Sequence, residues 1–162
     1  MRDLNESADE NLDPASLDCL KKTRSGVLNV LVGVGVVVAL TGMLLRGREE
    51  GGVPQGFSHM MYGGLILIFA ASTIARRSLG RRSWLRDPSS RCSRFFRGHI
   101  VAAAIGALAA PLGLVFGWLG SPRLEAVLPF WITALVLGIL AYPRSYELDG
   151  FDAPMPPARG PA

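Results

Sequence analysis

Four stretches of the chain are almost purely apolar, and polar segments of very different character separate them. Val27 to Leu45, Phe57 to Ala75 and Leu124 to Tyr142 are 19 residues each, and His99 to Leu119 is 21. At about 1.5 Å per residue, 19 helical residues reach roughly 28 Å, close to the ~30 Å of a bilayer's hydrocarbon layer. The one acid within these limits is Glu125, a single residue from an end. A charge at mid-span costs about 2.5–3.5 kcal/mol, and none of the four runs carries one. A water-soluble helical core needs a polar face on each helix, which VLNVLVGVGVVVALTGMLL lacks. The pattern predicts an all-α integral membrane protein, a four-transmembrane-helix bundle.

The connections set its topology. Residues 46–56, RGREEGGVPQG, form a short first loop of turn formers, and residues 120–123, GSPR, allow only a tight turn between antiparallel neighbours. Residues 76–98 form a longer second loop with eight Arg and one Asp. With both termini cytoplasmic, fourteen Lys/Arg lie inside and three outside (Arg46, Arg48 and Arg123), so the positive-inside rule predicts N-in/C-in. The first run is preceded by 26 residues, six of them acidic, and no A-x-A site follows it, so it reads as an anchor rather than a secretory signal. Glycine, proline and arginine are abundant, the composition of a GC-rich bacterial gene, which places the chain in a bacterial inner (plasma) membrane.

Outside the spans, residues 1–26 form an acidic cytoplasmic segment. Asp13-Pro14 is a helix start, and residues 14–22 are expected as a short interfacial helix with Leu17 and Leu20 against the membrane. Residues 143–162 are a Pro-rich cytoplasmic tail without apolar period, expected to be extended or disordered. In the second loop, Arg76, Arg77, Arg81, Arg82, Arg86, Arg91, Arg94 and Arg97 surround Trp84, a composition suited to anionic lipid headgroups or an acidic partner. Setting the topology alone also accounts for these arginines. No nucleic-acid reader motif is present.

Candidate chemistry is sparse. The span interiors offer only Asn29, Thr41, Ser72, Thr73 and Thr133 as polar groups, whose usual role is a hydrogen bond to their own backbone or a neighbouring helix. Transport by a single chain generally needs ionisable groups at depth. His59 and His99 start at opposite faces, too far apart to share one haem iron. Met43, His59 and Met61, with Met60 beside them, share an outer-face depth, and thioether plus imidazole suits Cu(I) or a His/Met iron. Cys19 and Cys92 are both expected in the cytoplasm, reduced, and too isolated for a metal motif. No hydrolase serine, phosphate loop or zincin pattern appears, so no catalytic residue, cofactor or metal is assigned.

The strongest positive pattern is a set of small residues at helical spacing. The third run carries Ala102, Gly106, Ala109/Ala110, Gly113 and Gly117, the first Gly35, Ala39 and Gly42, the fourth Ala134, Gly138 and Ala141. Such rows let helix backbones approach closely in lipid, and Pro111 should kink the third helix. Arg24 with Gly33 and Arg97 with Gly106 share a nine-residue spacing, a faint hint of a parallel repeat. Together these features point to a non-catalytic accessory or scaffold subunit of a larger inner-membrane complex. An electron-transfer or metal-handling protein using the Met/His group is one alternative, and an oligomeric small-solute transporter or channel is another.

Overall fold

The computed structural model describes residues 14–46, 55–79, 88–120 and 123–147, and these are almost wholly helical. The helices are α1 (Pro14–Leu45), α2 (Gln55–Leu79), α3 (Pro88–Ala107), α4 (Ala109–Leu119) and α5 (Leu124–Leu140), followed by a 3₁₀ turn over Ser145–Glu147. Three stretches are long and apolar enough to cross a membrane: Pro14–Leu45, Gly56–Ser78 and Arg91–Leu119, the last spanning α3 and α4; α5 is apolar but shorter, at 17 residues. Large apolar side chains cover the exterior, Val32, Ile66, Leu67 and Ile139 among them. Water would disfavour that surface, and lipid tails accept it.

Two boundaries differ from the hydropathy reading. The short interfacial helix expected over 14–22 is not a separate element but the first turns of α1. Pro14 starts it, where a missing N–H costs nothing. Leu20, with Leu17 partly buried beside it, packs with Cys19 on Phe95 of α3. Similarly, the second loop is shorter than 76–98, because α2 runs to Leu79 and α3 starts at Pro88. Hydropathy marks where a helix enters an apolar layer, not where its hydrogen bonding begins, and arginine is itself a good helix former. Residues 1–13, the first loop over 47–54, residues 80–87 and the tail from 148 lie outside the described residues, and with them Arg81, Arg82, Trp84 and Arg86.

The third helix is interrupted where proline requires it. Pro111 has no N–H for the Ala107 carbonyl, and the ladder tightens there, Leu108 N–H donating to Ile105 O at 3.2 Å before α4 resumes. This α3–α4 pair is the centre of the packing. The apolar window of Arg91–Leu119 is 44% buried, against 17% in α1 and 11% in α2.

Small residues explain why it can be central. A Cβ on Gly106 would stand 2.7 Å from Leu137 Cβ, on Gly113 2.8 Å from Phe130 Cβ, and on Gly117 2.5 Å from Leu45 Cδ1. Gly138 of α5 is likewise closed, by Leu31 of α1. Ala102, Ala109, Ala110, Ala134 and Ala141 are all buried. Only residues without bulk permit these approaches. The row in α1 is different: nothing stands within 4 Å of a Cβ on Gly35 or Gly42, and Ala39 is exposed. Among the described residues nothing packs into the row of Gly35, Ala39 and Gly42, since the spacing fixes a helix face but not what lies opposite. Gly33 is open where Gly106 is closed, so the repeat hint joins glycines of opposite environment.

Candidate functional site

One cluster of the described polar groups lies at the end of the molecule where α1 and α3 begin and α2 and α5 finish. Helical geometry brings it there: the last turn of α2 supplies Arg76 and Arg77, the first turns of α3 supply Cys92, Phe95 and His99, and the 3₁₀ turn beyond α5 returns Glu147.

His99 is its hub. The imidazole is 4% exposed, with Phe95 at a ring-centroid distance of 4.5 Å. Its Nδ1 lies 2.7 Å from the carbonyl oxygen of Ala141. A carbonyl only accepts, so Nδ1 carries the proton and donates. The other ring nitrogen, Nε2, is 3.1 Å from a carboxylate oxygen of Glu147. Both nitrogens thus face acceptors, and the arrangement is fully satisfied when a proton also lies between Nε2 and Glu147. Arg76 donates to the second carboxylate oxygen of Glu147 at 2.5 Å. Burial raises the Glu147 pKa, but the His99 contact and charge and the Arg76 guanidinium outweigh it, and the carboxyl is held below its ordinary 4.5. This cluster ties α2, α3 and the segment after α5 together.

Beside it, Ser72 of α2 donates to the Ala102 carbonyl of α3 at 2.9 Å. A cavity of about 350 Å³ opens between α2, α3 and α5, with Arg76, Arg77, Ser72 and Thr73 on one wall and Leu137 and Leu140 on the other. Lys22 lies over the Phe96 ring at 5.8 Å and Arg24 over Tyr142 at 5.9 Å, so basic side chains of α1 rest on aromatic faces.

One covalent link completes this end. Cys19 of α1 and Cys92 of α3 form a disulfide, with Cα atoms 5.7 Å apart. The expectation of two reduced, isolated thiols is corrected on isolation: the helical extensions below Val27 and His99 lie side by side and bring together residues 73 apart in sequence. Cys19 is buried and Cys92 exposed.

Of the arginines expected to meet lipid or a partner, Arg77, Arg94 and Arg97 are exposed, Arg91 is half-buried, and Arg76 is engaged by Glu147. Sequence reasoning missed Glu147, which the Pro-rich tail composition hid, and it gave His99 no partner. The Met/His group does not share one environment. Met61 is packed among Leu45, Phe116, Val127 and Phe130, whereas Met43 is 73% exposed and His59 is exposed. Among the described residues no group of three or more His, Cys, Asp or Glu stands ready for a metal ion. The hydroxyls of Thr41, Thr73 and Thr133 all donate to carbonyls of their own helices.

Compared with family models, curated proteins and solved structures, the chain matches none.

Proposed function

We propose that the chain is a non-catalytic four-helix membrane bundle that serves as an accessory or scaffold subunit, sitting N-in/C-in in a bacterial inner membrane. The observation that carries the reading is the open face of α1. Gly35, Ala39 and Gly42 form a row built for close helix approach, and none of the described residues fills it. In lipid, where apolar surfaces gain little by meeting, such a row favours a second helix through backbone proximity. The hydroxyls of Thr41, Ser72 and Thr133 turn to backbone carbonyls, in keeping with a packing role. The orientation rests on the fourteen-to-three distribution of Lys and Arg, and α5 serves as the fourth span: its 17 residues reach about 25 Å, the short end of the spanning range.

The test is purification of the full chain in mild detergent. A second membrane protein, or a second copy, at fixed stoichiometry is the expected result, lost in Gly35→Leu while the variant still folds. A well-behaved monomer with no companion, unchanged by that substitution, would overturn the proposal. Reporter fusions after residues 20, 88 and 150 should read cytoplasmic and those near 52 and 121 external.

A further inference from the structure

We propose that Cys19 and Cys92 are a redox-active pair, exchanging electrons with small cytoplasmic thiols and disulfides rather than holding a permanent cross-link. The inference rests on the N-in/C-in orientation above. Three observations carry it. The two sulfurs are bonded across α1 and α3. They lie at the end bearing most of the Lys and Arg, which the orientation places in a reducing compartment, where disulfides are transient, catalytic or redox-sensing rather than structural. The two sulfurs are also unequal. Cys19 is 5% exposed within the Leu20 and Phe95 cluster, while Cys92 is exposed and flanked in sequence by Arg91 and Arg94.

That asymmetry assigns the roles. A small thiolate can approach only the Cys92 Sγ. Its attack forms a mixed disulfide with Cys92 and breaks the Sγ–Sγ bond, and Cys19 departs as a thiolate that takes up a proton. A second small thiolate then attacks the small-molecule sulfur of the mixed disulfide, releasing the symmetric small disulfide and the Cys92 thiolate. The pair gains two electrons and the small thiols lose two. In reverse, the Cys92 thiolate attacks a small disulfide, one small thiolate leaves, and Cys19 attacks the Cys92 sulfur to expel the other. The exposure of Cys92 makes it the sulfur attacked in one direction and the attacking sulfur in the other. Opening the bond would leave the start of α1 held to α3 by the Leu17, Leu20 and Phe95 contacts, so the thiol state sets how firmly the basic segment of α3 is fixed.

The experiment uses the full chain in right-side-out and inside-out membrane vesicles, equilibrated with buffers of stepped reduced-to-oxidised glutathione ratio. Free thiols are then trapped with a membrane-impermeant maleimide. The expected result is labelling only from the cytoplasmic face, with the oxidised fraction moving from below about a tenth to above about nine tenths across the series. Cys19→Ser should leave Cys92 carrying one glutathione, and Cys92→Ser should leave Cys19 modified at least about tenfold more slowly, as burial requires. Cytoplasmic labelling with a thiol state that ignores the glutathione ratio overturns this inference and leaves the orientation standing. So does equal modification of Cys19 and Cys92 in the single variants. Labelling from the external face, after added reductant alone, overturns the orientation and the inference together.

Discussion

The two ends of the helical assembly are held by different physics. At one, Cys19–Cys92, the His99–Glu147–Arg76 cluster and the Ser72–Ala102 bond join α1, α2, α3 and the segment after α5 through directional and covalent links. At the other, Leu45, Met61, Phe116, Val127 and Phe130 form a cluster, with Phe57 and Tyr62 extending it as rings. The Phe116 and Phe130 rings stand 5.3 Å apart, and Tyr62 and Phe130 5.5 Å. Links of the first kind depend on proton and electron supply. Packing of the second kind depends on volume and shape. Each end should therefore respond to perturbations that leave the other indifferent.

The largest effect belongs to the aromatic end. Phe130 is fully buried and touches two rings as well as the closed face of α4 at Gly113. Phe130→Ala should cost about 3–5 kcal/mol, because the surrounding helices cannot collapse fully into the space. Thermal unfolding in one detergent should show this loss, equal with and without reductant. A reductant-dependent loss would break the separation of the two ends.

Reduction of Cys19–Cys92 comes next. A disulfide closing a long loop typically contributes about 2–4 kcal/mol, although helices already held in lipid have less freedom to lose, so the lower end applies. The melting temperature should fall on adding reductant to wild type and stay constant in Cys19→Ser. Gly113→Leu should cost about 1–3 kcal/mol by forcing Phe130 away from α4, again without dependence on redox state.

The contrast also separates what sequence could disclose from what it could not. The apolar runs are legible because the bilayer imposes a length and a polarity on each crossing. Gly106, Gly113 and Gly117 are legible because helical spacing puts them on one face. The same spacing in Gly35 and Gly42 misleads, since a face says nothing of its neighbour until the helices are placed. The polar end was the least legible. Residues 88–98 carry arginines that hydropathy assigns to a loop, yet they continue α3, and only that continuation sets Cys92 beside Cys19 and gives Phe95 to Leu20. Glu147 has no sequence signature at all: its role follows from the chain turning back after Tyr142 to meet His99 and Arg76.

Acid provides the next, smaller test of that end. The folded Glu147 carboxyl is held below its ordinary 4.5, so its share of stability is present above that pH and is lost as pH falls through the lower, folded value. The loss should be on the order of 1 kcal/mol, since Arg76 and Glu147 retain partial exposure and solvent screens them. Melting in detergent should therefore drop below about pH 4.5 in wild type. Glu147→Gln should flatten that limb, leaving the Phe130→Ala loss of the other end unaltered.

The smallest effect is expected where the chain meets itself least. Among the described residues no atom stands within 4 Å of a Cβ at position 35, so a Leu side chain there starts into open space. It also removes a glycine from a helix interior, which favours the helix by up to about 1 kcal/mol. Gly35→Leu should thus melt at or slightly above the wild-type temperature, whereas Gly113→Leu, the same substitution on the packed face, melts well below it. If the two variants lose equal stability in the isolated chain, α1 packs through this row after all, and its open face is no longer available to a partner. If only the association of the chain suffers, the two glycine rows serve different neighbours: the one in α3–α4 its own helices, the one in α1 another chain.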